Sequence, residues 1–158
     1  MANIYETIYP KFKTEFSFAE LNEIYTPTES EVDLAERVTK RKNTKLCFLI
    51  SLKCFQRLGY FITFSSTPEP IISHISEYLS ITMTESVLKS YDNSDSRLRH
   101  LQIIREFLCV RPFNSKARHL IVTAIGKAAK TKDEPTDLIN IAIEELVKNS
   151  YELPAFST

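Results

Sequence analysis

Residues 95–132, DSRLRHLQIIREFLCVRPFNSKARHLIVTAIGKAAKTK, decide the fold. Apolar residues recur at helical spacing on both sides of RPFNS, so the stretch predicts two helices joined by a short turn. Pro112 is the break, and Asn114-Ser115 is the second start signal. On a wheel of about 100° per residue, Lys116, His119, Thr123, Lys127 and Lys130 share one face of the second helix. Ala117, Leu120, Ile121, Ala124, Ile125 and Ala128 share the other. No acid lies between Glu106 and Asp133, whereas Arg111, Lys116, Arg118, Lys127, Lys130 and Lys132 all do. A helix that is apolar on one side and basic on the other suits a polyanion or an anionic surface. The competing reading is a solvated face that touches nothing.

The chain around this stretch has 158 residues and is 43% hydrophobic, enough to bury a core in one domain or two small ones. Two glycines in the whole chain argue against a sheet protein rich in tight turns. Neither GxGxxG nor GxxxxGK occurs, so no phosphate loop is expected. The longest apolar run, Leu46 to Phe61, is interrupted by Lys53 and Arg57, so no membrane span is expected. The N-terminus lacks the basic-then-apolar order of a secretory signal, and the reading is a soluble intracellular protein.

Net charge is zero, but its distribution is uneven. Residues 1–36 carry eight acids and two bases, whereas residues 37–68 carry seven bases and no acid. Residues 69–106 hold six acids and four bases, residues 107–132 six bases and no acid, and residues 133–158 six acids and one base. A polyanion responds to the local field more than to the total, so two acid-free tracts point to nucleic acid. The alternative is that acidic and basic blocks fold together and neutralise.

In chain order, an aromatic segment with Tyr5, Tyr9, Phe12, Phe16 and Phe18 is expected to dock on the main body. Ser17 caps a short helix, FAELNEIY. Thr28 and Glu31 form a capping box for residues 28–41, with acids in the first turns and Arg37, Lys40 and Arg41 in the last. From Thr44 to about Phe61 the pattern is apolar nearly all round, as in a helix buried by several neighbours. Gly59 and SSTPEP break the chain. Pro70 then opens IISHISEYL, Thr84 caps TESVLKSY, and Pro135 opens PTDLINIAIEELVKN with Leu138, Ile139, Ala142, Leu146 and Val147 inward. No strand pattern of useful length appears, so the fold class is all-α, a compact multi-helix domain with a helix-turn-helix-like pair at 95–130. The polar stretch Ser90 to Ser96 divides it into two helical subdomains, 1–92 and 93–158.

Chemistry finds little support. Cys47 and Cys54 fall on one face of the core helix, Cys109 is distant, and His74, His100 and His119 have no paired spacing. The cysteines read as buried hydrophobes in a reducing compartment, and no metal site, cofactor or nucleophilic site is expected. Glu144 and Glu145 read as solubilising. Arg97, His100, Ile104 and Leu108 share a face, and an Arg and a His near a helix N-terminus suit a phosphate oxygen. Alternatively, Arg97 and His100 pair with Asp92 or Asp95 and brace the fold. Arg99 and Arg105 point to the flank.

These residues also carry a resemblance. Glu20-Leu21 followed by YTPTESEVDLAER, the core segment KLCFLISLKCFQRLGYF, and above all RLRHLQIIREFLCVRPF from Arg97 to Phe113 resemble, in order, the N-terminal region of Tn3-family transposases. Cys47 and Cys109 stand where that family usually has glycine. The resemblance implies recognition of transposon terminal inverted repeats during DNA transposition. It further implies that this chain is the N-terminal fragment of a longer transposase, with the catalytic carboxylates and their magnesium far downstream, so that it is not itself an enzyme. Double-stranded DNA and the rest of the transposase chain are then the expected partners, with a homodimer in the full-length protein and a bacterial cytoplasmic, nucleoid-associated location. The expected DNA-contacting set is Arg37, Lys40, Arg41, Lys45, Arg97, Arg99, His100, Arg105, Arg111, Lys116, Arg118, His119, Lys127 and Lys130. The alternative from another class is a helical interaction or assembly module whose basic tracts meet an acidic partner.

Overall fold

The structure, a computed structural model, describes residues 7–155; the expected docking of Tyr5 lies outside them. Eight α-helices and no strand occur among the described residues: α1 Phe18–Tyr25, α2 Glu29–Val38, α3 Lys42–Leu58, α4 Glu69–Leu79, α5 Glu85–Asp92, α6 Asp95–Leu108, α7 Ser115–Ala128 and α8 Pro135–Lys148. The fold class is all-α, as expected. No described helix is long and apolar enough to cross a membrane.

Local chemistry explains most helix ends. The Ser17 hydroxyl accepts the Glu20 N–H at 3.1 Å and starts α1. Thr28 and Glu31 close the expected capping box, with Glu31 N–H on Thr28 Oγ1 at 3.3 Å and Thr28 N–H on Glu31 Oε1 at 2.8 Å. Helix α2 stops earlier than its charge run suggests. Thr39 turns extended, and both its N–H (3.0 Å) and its hydroxyl (2.6 Å) bond to Ala35 O. Lys40 and Arg41 therefore lie in the bend before α3, not in the last turn of α2. Gly59 ends α3 in the left-handed region at φ 80°, where a side chain would be strained.

The described chain forms two compact units, residues 12–104 and residues 7–11 with 105–155. The boundary expected between residues 92 and 93 falls at the α5–α6 turn. In the first unit α3 is the central element and packs against α1, α2, α4 and α5. Leu46, Phe48, Leu49, Ile50 and Leu52 on it are all 0% exposed. Each such side chain stabilises by roughly 1.5–3 kcal/mol relative to exposure, so this helix anchors the unit. Phe12 and Phe16 pack on the buried Tyr25 ring at 6.4 and 6.0 Å, while Phe18, expected to dock with them, is 77% exposed.

In the second unit α7 and α8 form a helical hairpin. The expected helix pair at 95–130 is present as consecutive helices, but the extensive packing of α7 is with α8. Ile143 and Leu146 are buried on α8, whereas Val147, expected inward, is 61% exposed because it follows Leu146 by about 100° of helix rotation. After α8 the chain returns beside the turn before α7. Arg111 N–H donates to Ser150 O and Glu152 N–H to Arg111 O, both at 2.8 Å, and Leu153 is buried.

Candidate nucleic-acid interface

The α7 face is built from its own sequence. Asn114 accepts the Ala117 N–H at 3.1 Å and fixes the helix start, and Ala117 is fully buried. Leu120, Ile121, Ala124, Ile125 and Ala128 are half-buried, whereas Lys116, Arg118, His119, Val122, Thr123, Gly126 and Lys127 are exposed. Lys130 is exposed in the turn just beyond the helix end. Lys116, Lys127 and Lys130 make no ion pair among the described residues. Arg118 lies over the Phe113 ring at 5.8 Å. One carboxylate, Glu145, shares the open α7–α8 groove with Lys127. No acid occupies the first turn of α7, where the helix dipole would favour one, so Lys116 and Arg118 add positive charge to a positive helix end. An external anion there would relieve that repulsion.

The second basic cluster is the α2–α3 corner. Arg37, Lys40, Arg41 and Lys42 are exposed within six residues of one another, while Lys45 is half-buried and bonds Glu36 at 2.9 Å. Lys42 did not stand out in the sequence because α3 was expected to begin at Thr44. An open groove beside this corner is lined by Arg41 and by the hydroxyl residues Thr44, Ser86, Ser90, Ser94 and Ser96. The α7 face belongs to one unit and this corner to the other.

Of the remaining expected contacts, Arg97, His100 and Arg105 are held inside the fold, whereas Arg99 and Arg111 are exposed. The Arg97 guanidinium faces Asp92 at 4.0 Å and donates to Ile62 O at 3.5 Å. Asp92 in turn accepts the Phe64 N–H at 3.0 Å; burial raises its pKa, with Phe64 and Arg97 opposing. His100 is 4% exposed, its Nδ1 lies 2.6 Å from the Tyr91 hydroxyl, and its ring meets Phe48 edge-on at 5.3 Å. Burial, with the charge of Arg99, lowers its pKa. Arg99 itself is exposed and reaches Ser96 Oγ at 3.2 Å. Arg105 grips Glu152 through Nε at 2.8 Å and Nη2 at 3.4 Å. Arg111 donates to Asn149 O at 2.7 Å and covers the Tyr151 ring at 4.0 Å. Of the two readings of Arg97 and His100, the structure supports the bracing one. Asp92 is the partner of Arg97, and a tyrosine, not a carboxylate, is the partner of His100.

No group of three His, Cys, Asp or Glu able to hold a metal occurs among the described residues. Burial pushes the Cys47 and Cys54 thiols up to about 12, which favours the neutral thiol. The residues exposed on these two basic surfaces that the sequence reading did not single out, Lys42, Val122 and Gly126, carry a signal only in combination with exposure. An apolar residue and a glycine amid cations are not informative until the helix face they occupy is known. No curated protein matches this chain. A family model does match, over residues 3–158, and by that match the chain belongs to the domain of unknown function family DUF4158.

Proposed function

We propose that this chain binds double-stranded DNA sequence-specifically, recognising transposon terminal inverted repeats as the N-terminal part of a Tn3-family transposase. The family to which it belongs is known in transposases, which supports the reading. The observation that carries it is the α7 face, where Lys116, Lys127 and Lys130 are exposed, make no ion pair among the described residues, and lie in the interval between Glu106 and Asp133 that holds no acid. Such a face gains energy from releasing the counterions of a phosphate backbone, and the α2–α3 corner supplies a second set of cations. Phosphate contacts fix register, so no cofactor and no catalytic step is assigned to these residues. The rest of the transposase chain and a second copy in the bacterial nucleoid are the partners this reading brings with it. The alternative, a protein-interaction module, draws support from Phe18 and Tyr78, exposed by 77% and 54%.

Fluorescence anisotropy tests the proposal with duplexes carrying the element's terminal repeat or a scrambled sequence. Log affinity should fall linearly with log salt, and the repeat should bind more tightly. Replacing Lys116, Lys127 or Lys130 by glutamine should weaken binding to every duplex alike and flatten the salt slope by about one unit per contact. Stability should shift by no more than ~0.5 kcal/mol. Wild-type affinity and slope in all three variants would move the contact to Arg37–Lys42; no duplex binding by the unaltered chain would overturn the proposal.

A further inference from the structure

With duplex DNA as the partner, a reading on which this step rests, we propose that α7 is the helix that enters the major groove. His119, Val122 and Gly126 face the base edges, and Lys116, Lys127 and Arg118 flank them toward the two phosphate walls.

The helical wheel places these roles. Ala117 is 0% exposed and marks the inward direction of α7. At about 100° per residue, Gly126 points about 180° away from it, Val122 about 140° and His119 about 200°. The three therefore form the outermost strip. Lys116 and Lys127 lie on one shoulder of that strip, at about 260° and 280°, and Arg118 on the other, at about 100°.

Two observations distinguish this strip from a solvated face. Val122 is 69% exposed, an apolar side chain set among cations with nothing of its own unit over it. In the major groove its methyls have a specific partner, the C5 methyl of thymine. Gly126 is the second. It does not adopt a positive φ, and a Cβ built on it meets no atom within 4 Å. Neither a turn nor internal packing calls for glycine there, although glycine weakens a helix relative to alanine. What the missing side chain permits is close approach of the helix backbone to something outside the chain. His119 adds ring nitrogens that can donate to or accept from base edges. With side chains a helix is about 10–12 Å across, which matches a major groove about 12 Å wide. Helix α6 offers fewer cations to a phosphate backbone, because Arg97, His100 and Arg105 are engaged in the fold and Arg99 alone of its bases is exposed.

The test is selection from a library of duplexes with a randomised central segment, read by sequencing, using the full 158-residue chain. The wild type should enrich a defined sequence. Val122→Ser and Gly126→Leu should keep the helical circular dichroism and bind random-sequence duplex within about twofold of wild type, yet lose about tenfold or more of the preference for the selected sequence. Lys116→Gln should do the reverse, weakening all duplexes alike and leaving the preference intact. If Val122→Ser and Gly126→Leu enrich the wild-type sequence with wild-type affinity, or if the wild type binds duplex without preference, the α7 assignment falls while DNA binding stands. Absence of any duplex binding by the wild type overturns the DNA-binding reading and this assignment together.

Discussion

Replacing Lys53 by methionine leaves a carboxylate stranded in the core of the first unit. Lys53 Nζ lies 3.1 Å from Glu31 Oε1, and the two side chains are 8% and 4% exposed. Removing one partner of such a pair typically costs ~3–5 kcal/mol, since the remaining charge is buried without its counter-charge. Glu31 keeps two other hydrogen bonds, from the Thr28 N–H at 2.8 Å and Gln56 Nε2 at 2.6 Å. These hold part of the compensation, so the expected loss is near the lower end, about 3 kcal/mol. Urea denaturation followed by circular dichroism at neutral pH measures it. Acid supplies an internal control. In the wild type burial would raise the Glu31 pKa, but the bonds from Thr28, Gln56 and Lys53 outweigh it and hold the carboxyl below its usual value of 4.5. That contribution is fully present above the unfolded value and is lost as pH falls through the lowered folded one. Without Lys53 the burial effect gains weight, the carboxyl takes up a proton more readily, and the penalty of the substitution should shrink as pH approaches the usual carboxylate range. A loss under about 1 kcal/mol at neutral pH, or one that does not change with acidification, would refute the account of Glu31 as a buried charge held by Lys53.

His100 should make the wild type less stable as pH falls from 7 toward 5. Burial lowers its folded pKa, so the stability it contributes is fully present above its unfolded value of 6.5 and is lost as pH drops through the folded value. His100→Gln should flatten that slope in urea titrations, and a His100 ring that titrates by NMR at or above 6.5 would contradict it. Cys109→Gly should raise stability by about 0.5–1 kcal/mol, because Cys109 closes α6 at φ 57° with Val110 N–H on Arg105 O, a left-handed position that favours glycine. Thermal melts that show a loss would mean that the thiol makes contacts worth more than the strain.

Helix starts and stops were legible in the sequence wherever the signal and its acceptor lie within one turn. The Thr28–Glu31 box, the Asn114 cap and the Gly59 stop each span four residues or fewer of backbone, so the amino-acid order alone specifies them. The acid-free run that gives α7 its basic face is legible for the same reason. Cys109, which stands where the pattern that the sequence resembles usually has glycine, adopts the left-handed conformation that favours glycine.

The fate of individual charges was decided by tertiary structure. Lys53 reads as an interruption of an apolar run, yet it is buried on a carboxylate 22 residues earlier. Arg105 reads as a flank cation for DNA, yet its partner Glu152 is 47 residues later. Likewise Phe18 and Val147, apolar and suitably spaced, point outward. Local propensity sets backbone conformation because its hydrogen bonds close within a turn, so the amino-acid order by itself determined the eight helices of the described residues and the basic face of α7. Whether a given arginine is available to a phosphate depends on which acid the folded chain brings within about 3–4 Å of it, and that distance exists only once the helices have packed.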